Sequence, residues 1–281
     1  MKDPPVFLIG THRSGTTWLG SLLGKAPGFA YWVEPRQVWT YKNWHKPDDV
    51  LTAEDATDKI KRHIRTRFSK YTDLQGASRF CEKTPSNCLR IPFIYEVFPE
   101  GKFILLIRDG RAVYRSTDEI QSKGANWNRI RQRIRESSIK ELPAYFDRVH
   151  WVWQKLTNKR LDYWGVRPPG WKDWLQNCSP AQIIALQWAN SILVASDRLS
   201  DLPEASHITI KYEELVEDPV RQLGKICDFV GIENRDAFIE RGVESVRPDC
   251  QTKWKTELSE DLLEEIKPII LPTLTTLGYD W

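Results

Sequence analysis

The chain lacks any run of about 18 apolar residues, so its sequence offers no membrane-spanning helix. Its first ten residues, Met1 to Gly10, lack the charged, apolar and small-residue sections of a secretory leader, and a cytoplasmic location is expected. A dominant charge is lacking too. The 41 Lys and Arg against 38 Asp and Glu leave +3, too little for a general nucleic-acid or membrane-surface binder. Any anionic ligand must therefore be held by a local cluster. Metal-ligand spacing is absent among His45, His63, His150 and His207. The five cysteines, Cys81, Cys88, Cys178, Cys227 and Cys250, are odd in number and show no CxxC spacing. Reduced thiols and no metal are expected. No internal repeat, low-complexity tract or flexible linker divides the chain, so one domain over 1–281 is expected.

What is present is a rhythm of apolar runs and helical patterns. With 281 residues and 41% hydrophobic content the chain can bury one large core. Runs bounded by turn signals predict strands at Val6 to Gly10, Phe29 to Val33, Arg79 to Glu82, Phe103 to Ile107 and His207 to Ile210. Helices are predicted at Thr16 to Leu23, Ala112 to Ile120, Pro219 to Gly231 and Glu260 to Leu277. This order implies a three-layer α/β fold with a mostly parallel sheet. Residues 123–179 break the alternation, are dense in Arg and Trp, and read as an insertion beside the sheet that covers the acceptor site.

In an open parallel sheet, ligands bind beyond the carboxyl ends of the strands. The residues following these strands are polar: the Thr11 to Thr17 turn, Glu34, Lys83, Arg108 and Lys211-Tyr212. A cationic rim with one carboxylate describes an anion site with a base. The first turn, Gly10-Thr11-His12-Arg13-Ser14-Gly15-Thr16-Thr17, copies the phosphate-loop frame GxxxxGK[ST] but carries Thr16 in the lysine position. Helix-start N–H groups can still cradle a phosphate, and Arg13 adds a permanent charge. Nucleoside triphosphate hydrolysis is not expected.

Arg13-Ser14-Gly15-Thr16-Thr17-Trp18 resembles the 5′-phosphosulfate loop of the sulfotransferase superfamily. A second element agrees: Arg108 ends a strand and Ser116 follows eight residues later, as in the family's 3′-phosphate site. The resemblance implies 3′-phosphoadenosine 5′-phosphosulfate as co-substrate and adenosine 3′,5′-bisphosphate as product. It implies that Trp18 and Tyr212 lie near the adenine and that the segment starting at Lys253 closes over the nucleotide.

Cytosolic members of the family place a catalytic histidine after the third strand in a Lys-Thr-His run; here the run is Lys83-Thr84-Pro85, which has no such group. Glu34 is the expected base, with Arg13 and Lys83 stabilising charge. Glu34, followed by Arg36, is similar to the pattern of tyrosylprotein sulfotransferases, and Arg36 is a candidate acceptor contact. His12, which stands where related loops usually carry proline, is a weaker candidate base. The acceptor hydroxyl stays open among carbohydrate, glycolipid, secondary metabolite and tyrosine. The insertion's arginines, Arg129, Arg131, Arg133 and Arg135, and its tryptophans are candidate acceptor contacts; the more ordinary reading is a solvated basic face and core tryptophans. Oligomeric state is unassigned. A P-loop kinase and a non-catalytic nucleotide-binding homologue are the competing readings.

Overall fold

A computed structural model describes residues 2–122, 163–247 and 251–281. Most of the predicted insertion, including Trp127, Trp151, Trp153 and the four arginines named above, lies outside the described residues, as does Cys250.

Five strands form one parallel sheet: β1 (Val6–Ile9), β2 (Phe29–Val33), β3 (Arg79–Lys83), β4 (Lys102–Ile107) and β5 (His207–Lys211). Their order is β2-β3-β1-β4-β5. In the register Leu8 stands opposite Lys83 on one side and Ile104 on the other. Central β1 is buried along its whole length, which is why it reads as an unbroken apolar run, VFLI. Successive side chains alternate between the two faces. Phe7 and Ile9 join one core with Trp39, Phe68, Phe80, Phe98 and Phe103. Val6 and Leu8 join the other with Leu19, Leu22, Ile226 and Val230.

Helices cover both faces. The first core is closed by α2 (Asp58–Leu74), α3 (Ile91–Val97), α4 (Gly110–Ser122), α5 (Pro180–Ser200) and α8 (Glu260–Thr276). The second is closed by α1 (Thr16–Leu23), α6 (Pro219–Val230) and α7 (Arg235–Ser245). α6 begins with Asp218 accepting from the Arg221 N–H and with Pro219 in its first turn, and it ends at Gly231 with φ 75°. α5 starts on a reciprocal cap between Ser179 and Gln182.

The chain leaves β1 toward β2 on one side and leaves β4 toward β5 on the other. The topological switch therefore lies between β1 and β4, and a crevice opens beyond their carboxyl ends. This places the loop after β1 opposite Arg108.

Candidate active site

The loop after β1 is built by backbone strain and inward hydrogen bonds. Arg13 has φ 69° and Gly15 has φ 93°. A Cβ on Gly15 would stand 2.8 Å from the Tyr212 ring, so only glycine both adopts this turn and lets Tyr212 close on it. The Ser14 hydroxyl and N–H both donate to the Thr11 carbonyl, at 2.7 and 3.3 Å, which shapes the loop from within. The start of α1, from Thr16 and Thr17 onward, has the orphan N–H groups of any helix N-terminus.

Across the crevice, three residues from distant sequence positions meet. Arg13 Nε donates to Ser116 Oγ at 2.8 Å, and Arg108 Nη1 donates to the Arg13 carbonyl at 2.8 Å. The Arg108 guanidinium also lies 4.6 Å over the Tyr212 ring, a cation–π distance. These groups, with the loop N–H groups, are hydrogen-bond donors and positive charges, the set a phosphorylated nucleotide requires. Trp18 is half-buried against the second core, its indole N–H bonded to Ser245 Oγ at 3.0 Å. Lys253 caps the short helix Trp254–Glu257. That helix is held on α4, the helix of Ser116, by an Arg115–Glu257 ion pair and by Arg111 stacked 4.1 Å over Trp254.

Glu34 follows β2 directly, with its N–H bonded to the Lys83 carbonyl at 2.9 Å and φ 50°. A positive φ at a glutamate is uncommon and marks a position the surroundings enforce. One carboxylate oxygen accepts from Lys83 Nζ at 2.9 Å and the other from Arg36 Nη2 at 2.9 Å. Lys83 is buried and Glu34 is half-buried. Behind them Glu82 is fully enclosed. Burial pushes its carboxyl up to about 7, while the hydrogen bond from Thr84 and the charge of Lys83 oppose the rise; Asn87 also donates to it.

His12 lies among these charges. Its ring packs edge-on against Trp164 with centroids 4.8 Å apart, in a notch left open by Gly165, where a Cβ would meet the imidazole at 2.9 Å. The Trp164 turn is held by Gln187, whose amide donates to the Trp164 and Val166 carbonyls. Asp49 anchors the next residues, accepting from the Arg167 N–H, the Ser86 hydroxyl and the Arg90 guanidinium. Burial, then the charges of Arg13, Lys83 and Arg36, lower the His12 imidazole to about 3, with Glu34 acting in the other direction. The sign follows by linkage. Above pH 6.5 the imidazole is neutral in both folded and unfolded chain, whereas below it only the unfolded chain gains a proton. The stability difference between the wild type and His12→Gln should therefore shrink by about 2 kcal/mol from pH 7.5 to pH 5 in denaturant titrations. An unchanged difference would show that folded His12 accepts the proton.

Arg13, Arg108, Ser116 and Tyr212 form one group beyond the strand ends and Glu34, Arg36 and Lys83 a second, and the charges of Arg13 and of the second group act on His12. Trp164, Trp171 and Trp174, by contrast, are half-buried rather than core residues; among the described residues the fully buried tryptophans are Trp39 and Trp188. The sequence reading also missed Glu82, Asp49 and Arg90. A glutamate inside the buried strand RFCEK was the available signal for the first. Among the described residues, no group of three His, Cys, Asp or Glu could hold a metal ion, and no helix is long and apolar enough to cross a membrane.

A family model described as Sulfotransferase family matches residues 4–163, more than half of the chain. The chain belongs to the sulfotransferase family. It is an enzyme of sulfate transfer. The sulfotransferase is 23% identical over 301 residues to a putative protein-tyrosine sulfotransferase of Caenorhabditis briggsae, covering 98% of this chain and 89% of that protein. Its fold is similar to the sulfotransferase domain from the curacin biosynthetic pathway, with TM-score 0.58, 16% identity, and 99% and 98% of the two chains covered. It is also similar to a mouse sulfotransferase solved with PAP, with TM-score 0.51, 13% identity, and 98% and 84% covered.

Proposed function

We propose that this sulfotransferase takes its sulfuryl group from 3′-phosphoadenosine 5′-phosphosulfate and delivers it to an acceptor hydroxyl, with Glu34 as general base. The observation that carries the reading is the Lys83–Glu34 ion pair at the carboxyl ends of adjacent strands, next to the loop of Arg13. The loop N–H groups and Arg13 hold the 5′-phosphosulfate, Arg108 and Ser116 hold the 3′-phosphate, Trp18 and Tyr212 flank the adenine, and Lys253 lies on the segment that borders it. The PAP complex of the mouse sulfotransferase supports this donor.

In the reaction the acceptor oxygen forms a bond to sulfur as the bond from sulfur to the bridging phosphate oxygen breaks. The electron pair of that bond stays on the departing bisphosphate, and the acceptor proton passes to a Glu34 carboxylate oxygen. Lys83 and Arg36 hold the two oxygens of that carboxylate in place. Like phosphoryl transfer, the step asks chiefly for alignment and for positive charge at the leaving oxygen, which Lys83 and Arg13 supply.

The aligned protein-tyrosine sulfotransferases and the Glu34-Pro35-Arg36 run support a tyrosine hydroxyl as acceptor, with Arg36 beside it. Carbohydrate, glycolipid and secondary-metabolite hydroxyls are the alternatives that an acceptor screen separates.

Calorimetric titration in metal-free buffer tests the donor site. Adenosine 3′,5′-bisphosphate should bind tightly and ATP weakly; the reverse order would favour a kinase. Arg108→Ala should weaken bisphosphate binding by about 1.5–3 kcal/mol, the range for hydrogen bonds to charged groups. Unchanged affinity would remove Arg108 from the site.

A further inference from the structure

We infer that Glu213, tied to Tyr279, is a positioning residue that sets the spacing of Arg108 and Tyr212 and so the affinity for the donor nucleotide. The inference rests on the donor site proposed above. Arg108 and Tyr212 leave neighbouring parallel strands, β4 and β5, at the point where the chain turns out of the sheet. Strand-to-strand hydrogen bonding ends there, yet the Arg108 guanidinium must stay stacked on Tyr212 and within reach of the Arg13 carbonyl.

The residue after each of these two supplies the tie. Glu213 Oε1 accepts from the Asp109 N–H at 3.0 Å, bridging the two strand ends through a side chain. Its second oxygen accepts from the Tyr279 hydroxyl at 2.7 Å. Both oxygens of a partly buried carboxylate are thereby fixed, one by Asp109 just past β4 and one by the segment after α8.

That segment is itself anchored to the same region. Lys211 Nζ donates to the Gly278 carbonyl at 3.1 Å and lies 4.6 Å over the Tyr279 ring. Arg111 Nη2 donates to the Asp280 carbonyl at 2.7 Å, and the same guanidinium is paired with Asp109. Asp109 is thus held by its N–H through Glu213 and by its carboxylate through Arg111. On the other flank the Trp188 indole donates to the Arg108 carbonyl at 3.2 Å. The backbone that presents Arg108 is fixed on each side by side chains from outside β4, and Glu213 is the one that also fixes Tyr212.

The test measures bisphosphate affinity by calorimetry and full kinetics for the wild type, Glu213→Ala, Glu213→Gln, Tyr279→Phe and Arg108→Ala. Glu213→Ala should weaken bisphosphate binding about tenfold, because hydrogen bonds to a charged group are lost. It should raise donor KM to match, with acceptor KM and kcat near wild type. Glu213→Gln, which keeps one acceptor oxygen and the side-chain length, should recover most of the loss, and Tyr279→Phe should cost about threefold. A purely structural role would instead lower the active fraction, and so kcat, with donor KM unchanged.

A folded Glu213→Ala protein of wild-type affinity, when Arg108→Ala is weakened, overturns the positioning role and leaves the donor site standing. Absence of bisphosphate binding by the wild type overturns both. Should Glu213→Ala not fold, wild-type affinity in both Glu213→Gln and Tyr279→Phe, with no rise in donor KM for Tyr279→Phe, overturns the role equally.

Discussion

Glu34→Gln is expected to lower turnover about a hundredfold, the lower end of what a positioned general base contributes, while leaving adenosine 3′,5′-bisphosphate affinity unchanged. Glutamine keeps the length and shape of the side chain, and its carbonyl can still accept from Lys83 Nζ, as Glu34 Oε1 does at 2.9 Å. It cannot take a proton from an attacking hydroxyl. The donor contacts assigned to the loop after β1, Arg108 and Ser116 lie on other elements and are untouched. The kinetic signature is a fall in kcat and kcat/KM together with a steady donor KM. Turnover within threefold of wild type would place the base elsewhere. Glu82 would not be the substitute: it is wholly enclosed behind Lys83 and bonded to Thr84 and Asn87, out of reach of an acceptor.

The parts of this fold that were legible in the sequence are those decided locally. β2 and α1 occupy the residues their patterns predict, and α6 starts at Pro219 and ends before Gly231, because apolar runs, caps and glycine stops act within a few residues. α2 and α5 were not singled out although both carry signals: Ile60, Ile64 and Phe68 recur at helical spacing, and Ser179 with Gln182 makes the reciprocal cap of α5. The residues that would gather at one edge were legible for a topological reason, since a parallel sheet delivers the residue after every strand to one edge.

What joins them was not legible. Arg13 and Ser116 are 103 residues apart, Lys83 and Glu34 are 49 apart, and Tyr279 and Glu213 are 66 apart. Partner choice over such separations depends on strand order and register. His12 shows the same limit. As a loop histidine in a position that related loops fill with proline, it read as a weaker candidate base, yet the packing of Trp164 and Gly165 encloses it among the charges of the site.

Lys83→Met tests whether the cation beside Glu34 acts on the leaving oxygen or only holds the base in place. Methionine retains much of the aliphatic volume at the buried end of β3, so the fold should persist. It removes a positive charge from a place where little water can replace it. If Lys83 stabilises charge as the bond to sulfur breaks, kcat should fall by about 10²–10³, the range measured when one donor to a developing negative charge is deleted. Glu34 would keep Arg36 as a partner and remain able to accept a proton. A role confined to orienting Glu34 predicts something different. The loss would then be no larger than that of Glu34→Gln, and the double variant would be no slower than Glu34→Gln alone. With two separate tasks, base and charge stabiliser, the double variant should be slower than either single variant, though by less than the product if the pair also acts as a unit. Single-turnover rates at saturating donor separate these cases, because they report the chemical step without product release. Turnover of Lys83→Met within threefold of wild type would remove the lysine from the chemistry and leave Arg13 as the residue to replace next.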